Sequence, residues 1–121
     1  MKRMFKYELA VTTNSSGNYT GYTPSMRGRI HAIKWARNEI PLCPVTITGE
    51  TTGVPILVEV DMGDADRWDY VRAAATKCAN GDASTVTEVD IWVYNERIKV
   101  VIASGTASKT GTMTFFVELD T

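Results

Sequence analysis

Alternation of apolar and polar residues with a period of two is the feature that most constrains what this chain can fold into. Phe5, Tyr7, Leu9 and Val11 alternate with charged or small residues. This spacing puts every second side chain on the same side of an extended strand. Strand and turn patterns of the same kind predict further strands at residues 19–23, 45–48, 55–62, 86–94, 98–102 and 113–119.

Residues 27–37 fit two different structures. Ile30 and Ile33 are spaced as on one face of a helix, whereas Ile33 and Trp35 are spaced as on one face of a strand. Branched and aromatic side chains are frequent in this segment and favour extended backbone. We therefore predict a strand here.

The alternation fades between residues 63 and 84. Residues 66–78 fit a helix that has Asp66 as its N-cap and three consecutive alanines in its interior. An irregular excursion across the sheet fits the same residues, and the sequence leaves both possibilities open.

The pattern as a whole predicts an all-β fold. About eight strands separated by turns every 8 to 12 residues, with at most one short helix, are typical of an antiparallel β-sandwich. The sandwich is jelly-roll-like if the connections cross between its two sheets. A chain of 121 residues has the size of one domain, so residues 1–121 are predicted to form a single β-sandwich domain.

Charge and residue usage exclude several classes of function. The chain has 13 basic and 14 acidic residues, which gives no broad electrostatic attraction to nucleic acid. With His31 as the one histidine and two cysteines, Cys43 and Cys78, most metal and nucleophilic chemistry is excluded. The N-terminal residues lack the apolar core of a secretory signal, and no apolar stretch approaches a membrane span. We expect no enzymatic activity, no cofactor, no membrane partner and reduced cysteines.

An acidic cluster formed by Asp61, Asp64, Asp66 and Asp69 has the oxygen-rich character of a calcium loop. It lacks the downstream glycine and the closing glutamate that an EF-hand loop requires. A solvated loop explains the same residues, so no metal site is predicted.

The one local basic run consists of Arg27, Arg29, Lys34 and Arg37. Such a run can face an acidic partner surface, and a solvated strand face explains it equally well. We take these four residues as the candidate contact with a partner.

The tryptophans suggest a second kind of surface. Trp35, Trp68 and Trp92, together with the tyrosines, could form a platform on which sugars or bases stack. They are spread along the chain, and packing in a core or an interface accounts for them better.

Strand and turn segments that span most of the chain follow one another in a characteristic order. They are residues 9–13, 16–18, 28–35, 45–48, 53–57, 72–74, 95–101 and 109–115. This order resembles the capsid cement, or decoration, proteins of tailed bacteriophages, which are small all-β proteins associated with the head. The matching segments are structural patterns without a chemical signature, and no catalytic residue is carried over from the resemblance.

The resemblance implies a structural virion protein on the capsid exterior that is made in the host cytoplasm. Such a protein binds after the shell expands and bridges neighbouring copies of the major capsid protein, often as a trimer. Capsid exteriors are commonly acidic, and terminal arms commonly bind neighbouring subunits. The basic run from Arg27 to Arg37 and one terminus are therefore the expected contacts.

Two alternatives remain at this point. The first is another virion role, in the tail, at the head–tail junction or at a fibre base. The second is a carbohydrate-binding β-sandwich, which requires at least two exposed tryptophans.

Overall fold

The structure is a computed structural model that describes residues 2–36, 40, 43–62, 66–69, 73–74, 88–103 and 106–120. Within these residues the chain forms strands and no helix. The strands are β1 (Lys2–Thr12), β2 (Tyr19–Tyr22), β3 (Met26–Ala36), β4 (Cys43–Gly49), β5 (Pro55–Met62), β6 (Arg67–Asp69), β7 (Ala73–Ala74), β8 (Glu88–Val89), β9 (Ile91–Glu96), β10 (Ile98–Ile102) and β11 (Thr110–Asp120).

Two antiparallel sheets make up most of the fold. Sheet A has the order β1-β11-β3-β6, and β9 also pairs with β3, beyond the end of β6. Sheet B has the order β2-β10-β4-β5, while β7 and β8 pair separately. The chain crosses from one sheet to the other at most of its connections. The order β1-β11-β3-β9 beside β2-β10-β4-β5 is that of a jelly roll, so the predicted jelly-roll-like sandwich is confirmed.

The core lies between the two sheets. Buried residues alternate with exposed ones along the strands, as the period of two predicts. The largest side chains that are fully buried are Trp35, Phe115, Ile30, Ile33, Ile40, Ile47, Ile98, Ile102, Met113, Val11 and Val45. Among the described residues no helix is long and apolar enough to cross a membrane.

A β-bulge in β3 resolves the ambiguity of residues 27–37. Ile30 pairs with Val117 and Ala32 pairs with Phe116, so His31 is an extra residue in the ladder between β3 and β11. The extra residue shifts the alternation by one position, and Ile30 and Ile33 both face the core. The helix-like spacing of these two isoleucines is therefore the signature of a bulged strand.

A helix over residues 66–78 is wrong for the part of that segment that the structure describes. Residues 67–69 form β6, which pairs with β3, and residues 73–74 form β7, which pairs with β8. Pairing with neighbouring strands thus overrides the helix propensity of the alanines. The rest of the segment, Cys78 included, lies outside the described residues, so the reduced state expected for both cysteines stays a prediction.

The strand expected over residues 86–94 is divided. Glu88 and Val89 pair with β7, and the chain then passes Asp90 and pairs with β3 from Ile91 onward. The two halves therefore belong to different sheets.

A buried carboxylate organises one end of the sandwich. Glu96 is 3% exposed, and its Oε1 accepts hydrogen bonds from the backbone N–H groups of Thr51 (2.7 Å) and Thr52 (2.9 Å). Its Oε2 accepts a bond from the Thr52 hydroxyl at 2.7 Å. The carboxylate lies against Gly49, where an added Cβ would stand 2.7 Å from Oε2. Glu96 thus holds the turn between β4 and β5.

The same contacts set the ionisation of Glu96. Burial raises the pKa of its carboxyl, but the hydrogen bonds from Thr52, Thr51 and the Tyr94 backbone outweigh burial, and the pKa is lowered overall. Because the folded-state pKa lies below the unfolded value of about 4.3, the stabilisation is fully present above that pH. It is lost as the pH falls through the folded-state pKa.

We predict that Glu96→Gln lowers the free energy of unfolding by about 2 kcal/mol at pH 7, the scale of a hydrogen bond to a charged group. The difference from the wild type should narrow as the pH falls below about 4.3. Urea unfolding at several pH values measures both effects, with Asp66→Asn as the exposed control. A Glu96→Gln variant as stable as the control at pH 7 would refute the assignment.

Candidate functional site

The outward side of sheet A carries exposed aromatic rings among charged side chains. Directly paired residues of adjacent strands point to the same face of a sheet. Met113, Phe115 and Val117 point into the core, so the alternate residues of β11 and their partners point outward. We call this surface the aromatic face, and it consists of Arg27, Arg29, Lys34, Trp68, Trp92, Tyr94, Phe116 and Glu118.

Strand β9 supplies two exposed rings of the aromatic face. Trp92 is 37% and Tyr94 is 60% exposed, and they stand on the same side of one strand, about 7 Å apart along it. Trp92 pairs with Arg29 and Tyr94 pairs with Arg27. The result is a block of two aromatic and two guanidinium groups on adjacent strands.

A second aromatic group lies further along β3. Trp68 pairs with Lys34 and is 50% exposed. Its ring stacks on Phe116 with a centroid distance of 5.2 Å and an interplanar angle of 27°. The Lys34 Nζ lies 5.6 Å from the centroid of the Trp68 ring, within cation–π range. One side of the Trp68 ring is therefore covered by the chain itself.

Arg29 is held between two carboxylates. Its Nη1 donates to Asp90 Oδ2 at 2.8 Å, and its Nη2 donates to Glu118 Oε2 at 2.5 Å. The bond to Asp90, followed by the bond to Glu118, raises the pKa of the Arg29 guanidinium above its ordinary value, although burial acts against this. Two negative charges thus compensate the one positive charge of Arg29, and the two hydrogen bonds fix the position of its guanidinium on the aromatic face.

A cavity of about 310 Å³ opens beside the Arg27 end of the aromatic face. Its walls combine apolar side chains with polar groups: Phe5, Pro24, Ser25, Met26, Arg27, Asn95 and Leu119. Asn95 has a φ of 58°, a backbone conformation that asparagine tolerates better than most residues. Asn95 is the extra residue of a β-bulge in β9, because Met26 pairs with Glu96 and Arg27 pairs with Tyr94.

The structure brings together three of the four residues that the sequence analysis chose as the partner contact. Arg27, Arg29 and Lys34 share the outer face of β3 because the bulge at His31 shifts the alternation between them. Arg37 lies outside the described residues. The sequence analysis named Trp92 and the tyrosines as a possible stacking platform but favoured packing in a core or an interface for them. Ile91 and Val93 alternate with Trp92 and Tyr94 in the printed sequence. An exposed side could have been assigned to that strand from this pattern.

The other candidate groups have structural partners or lie partly outside the described residues. Asp69 accepts two hydrogen bonds from the Arg67 guanidinium, at 3.0 and 2.7 Å. Asp64 and the side chain of Asp61 are not described. Within the described part of the chain, no group of three histidine, cysteine, aspartate or glutamate residues is placed to hold a metal ion.

Comparison with known proteins identifies no relative. No family model matches the chain, and no curated protein and no solved structure matches it either.

We predict that Arg29→Ala lowers the free energy of unfolding by about 1 kcal/mol, because it leaves Asp90 and Glu118 facing each other without their shared cation. The exposed Arg3→Ala variant is the control, and its effect should stay within about 0.5 kcal/mol. Urea unfolding in low salt measures the difference, which should shrink in 1 M NaCl because salt screens the charges. Equal stability of the two variants would contradict a stabilising role for the ion pairs of Arg29 with Asp90 and Glu118.

Proposed function

We propose that this chain is a structural virion protein without catalytic activity. It binds the exterior of an expanded phage capsid and cements neighbouring copies of the major capsid protein. The observation that carries the proposal is the aromatic face. Tryptophan, tyrosine and arginine are the residue types that dominate the binding energy of protein interfaces, and Trp92, Tyr94 and Arg27 stand together on one exposed sheet surface.

The architecture supports the same role. Jelly rolls are common in viral capsid proteins and in lectins, but a fold by itself does not determine a function. The strand and turn resemblance to phage cement proteins favours the capsid. The exposed rings of the aromatic face supply a surface through which such a contact can form.

Cementing requires a binder that distinguishes two states of the shell. A protein that binds the expanded lattice and not the unexpanded one stabilises the expanded state by mass action. Because a shell presents the same site many times, a modest contact at each site adds up over the whole particle. A jelly roll suits this task since its long paired strands hold the rings of the aromatic face in fixed positions.

The arrangement of charges refines the contact expected from the basic run. Arg29 is compensated by Asp90 and Glu118, and the Lys34 ammonium lies over Trp68. We therefore assign most of the binding energy to the rings. Arg27 and Lys34 contribute to the rate of association with an acidic surface, which charged groups at the rim of an interface accelerate. The trimeric state that the resemblance implies stays an expectation.

We predict that Trp92→Ala and Tyr94→Ala each weaken binding to expanded, undecorated heads about tenfold or more, because a hot-spot side chain contributes about 2 kcal/mol or more and about 1.4 kcal/mol is tenfold in affinity. Titration by co-sedimentation with heads of the phage that encodes the chain measures the affinity. Thr48→Ala, on the outer face of sheet B, is the matched control and should bind like the wild type. Wild-type affinity in both aromatic variants would remove the aromatic face from the contact.

A carbohydrate-binding role is the second candidate, and one specific observation favours it. This role required at least two exposed tryptophans, and Trp68 and Trp92 are both exposed on the aromatic face while Trp35 is buried. They stand beside the same edge of β3, opposite Lys34 and Arg29, and are about 15 Å apart at about 3.3 Å per residue. Tryptophan rings exposed on a flat sheet can stack against the apolar faces of sugar rings.

If the aromatic face binds glycans, tryptophan fluorescence should be quenched saturably by an oligosaccharide ligand. Trp92→Phe should remove most of that change, whereas Trp35 is shielded in the core and should not respond. A panel of host surface glycans provides the ligands. An unchanged spectrum across the panel would exclude this second function and leave the cement role unaffected.

A further inference from the structure

Strand β1 forms the outer edge of sheet A. It runs for 11 residues, Lys2–Thr12, and in the described part of the chain it pairs with β11 alone. The backbone groups on the other side of such an edge strand are a template for pairing with another chain. Near the end of β1 the Ala10 carbonyl already accepts a hydrogen bond from the Tyr19 hydroxyl at 3.3 Å, so the template lies in the part of the strand before Ala10. Natural edge strands commonly carry charged residues that restrict this pairing, and β1 carries Lys6 and Glu8 on its outer face, both 58% exposed.

The charges of β1 are complementary to β1 itself. In an antiparallel pair of two identical strands related by a two-fold axis at Tyr7, Lys6 of each copy lies opposite Glu8 of the other. Opposite charges in this position stabilise a strand pair and like charges destabilise it. Within one copy Lys6 Nζ already lies 3.2 Å from Glu8 Oε1, so the pair of strands would bring two lysines and two glutamates into one alternating cluster.

The register is specified by both charge and length. A two-fold axis at Lys6 would oppose two lysines, and an axis at Glu8 would oppose two glutamates. An axis at Tyr7, in contrast, lies at the middle of Lys2–Thr12 and opposes each lysine to a glutamate. It also places Phe5, which is 37% exposed, opposite Leu9 on the inner side of the sheet, so an exposed ring gains an apolar neighbour.

We propose that two copies of this chain associate through β1 in an antiparallel pair centred on Tyr7, which joins their two five-stranded sheets into one. Capsid binding does not depend on this interface, because the interface uses one edge of sheet A and leaves Trp92 and Tyr94 at the opposite edge. The dimer is an alternative to the trimer that the resemblance implies. One strand pair buries less area than the roughly 1,200–2,000 Å² of a stable interface. The dimer is therefore concentration-dependent.

Charge reversal tests the interface, with sedimentation velocity over a wide range of concentrations as the measurement. The wild type should pass from monomer to dimer. Lys6→Glu opposes glutamates to glutamates, and Glu8→Lys opposes lysines to lysines, so each variant should dimerise at least tenfold more weakly. The double variant Lys6→Glu/Glu8→Lys restores both opposite-charge pairs and should dimerise like the wild type. Lys99→Glu, on sheet B, is the control for net charge.

A mixture of the two single variants gives the sharpest outcome. The Lys6→Glu copy presents two glutamates and the Glu8→Lys copy presents two lysines, so the mixture should form a heterodimer although each variant alone stays monomeric. Thermal unfolding verifies that both variants are folded. A wild type that stays monomeric throughout, a trimer, or a mixture and a double variant that both fail to dimerise would each overturn the proposal.

Discussion

The ladder of β3 is the constraint on which the rest of this structure depends. The strand pairs with β11 along one edge and with β9 and then β6 along the other. The extra residue at His31 shifts its alternation midway, so Ile30, Ile33 and Trp35 all enter the core. The same shift brings charged side chains before and after the bulge to one outer surface. Core and aromatic face are thus two consequences of one irregularity in one strand.

Sequence reasoning recovered the elements that rest on local alternation, and it failed where distant pairing decides. The strands around Leu9 and Phe115 could be predicted because burial on one side leaves a period of two. The short strands β6 and β7 could not be predicted in this way. Each is too short to show alternation, and each forms its backbone hydrogen bonds with a strand that is distant in sequence. The partners of Arg29 were equally hidden, because Asp90 and Glu118 are 61 and 89 positions away.

These contacts change the physical picture of binding. A run of basic residues in a sequence suggests an electrostatic contact, but in the folded chain Arg29 is compensated and Lys34 lies against a ring. The surface that remains is a set of rings held on a rigid sheet with charges between them, which suits a contact made by shape and apolar burial. In the capsid contact that we propose, attraction between charges sets how fast the partners meet, and the rings set how long they stay together.

The central claim is that the chain recognises an assembled, expanded capsid lattice. The most direct measurement is the number of copies that co-sediment with expanded and with unexpanded heads at saturation. The account predicts saturable binding of hundreds of copies to each expanded head and none to unexpanded heads. Binding of a dozen copies or fewer would contradict it and point to a role at the tail or the head–tail junction, and equal binding to both forms would contradict recognition of the expanded lattice.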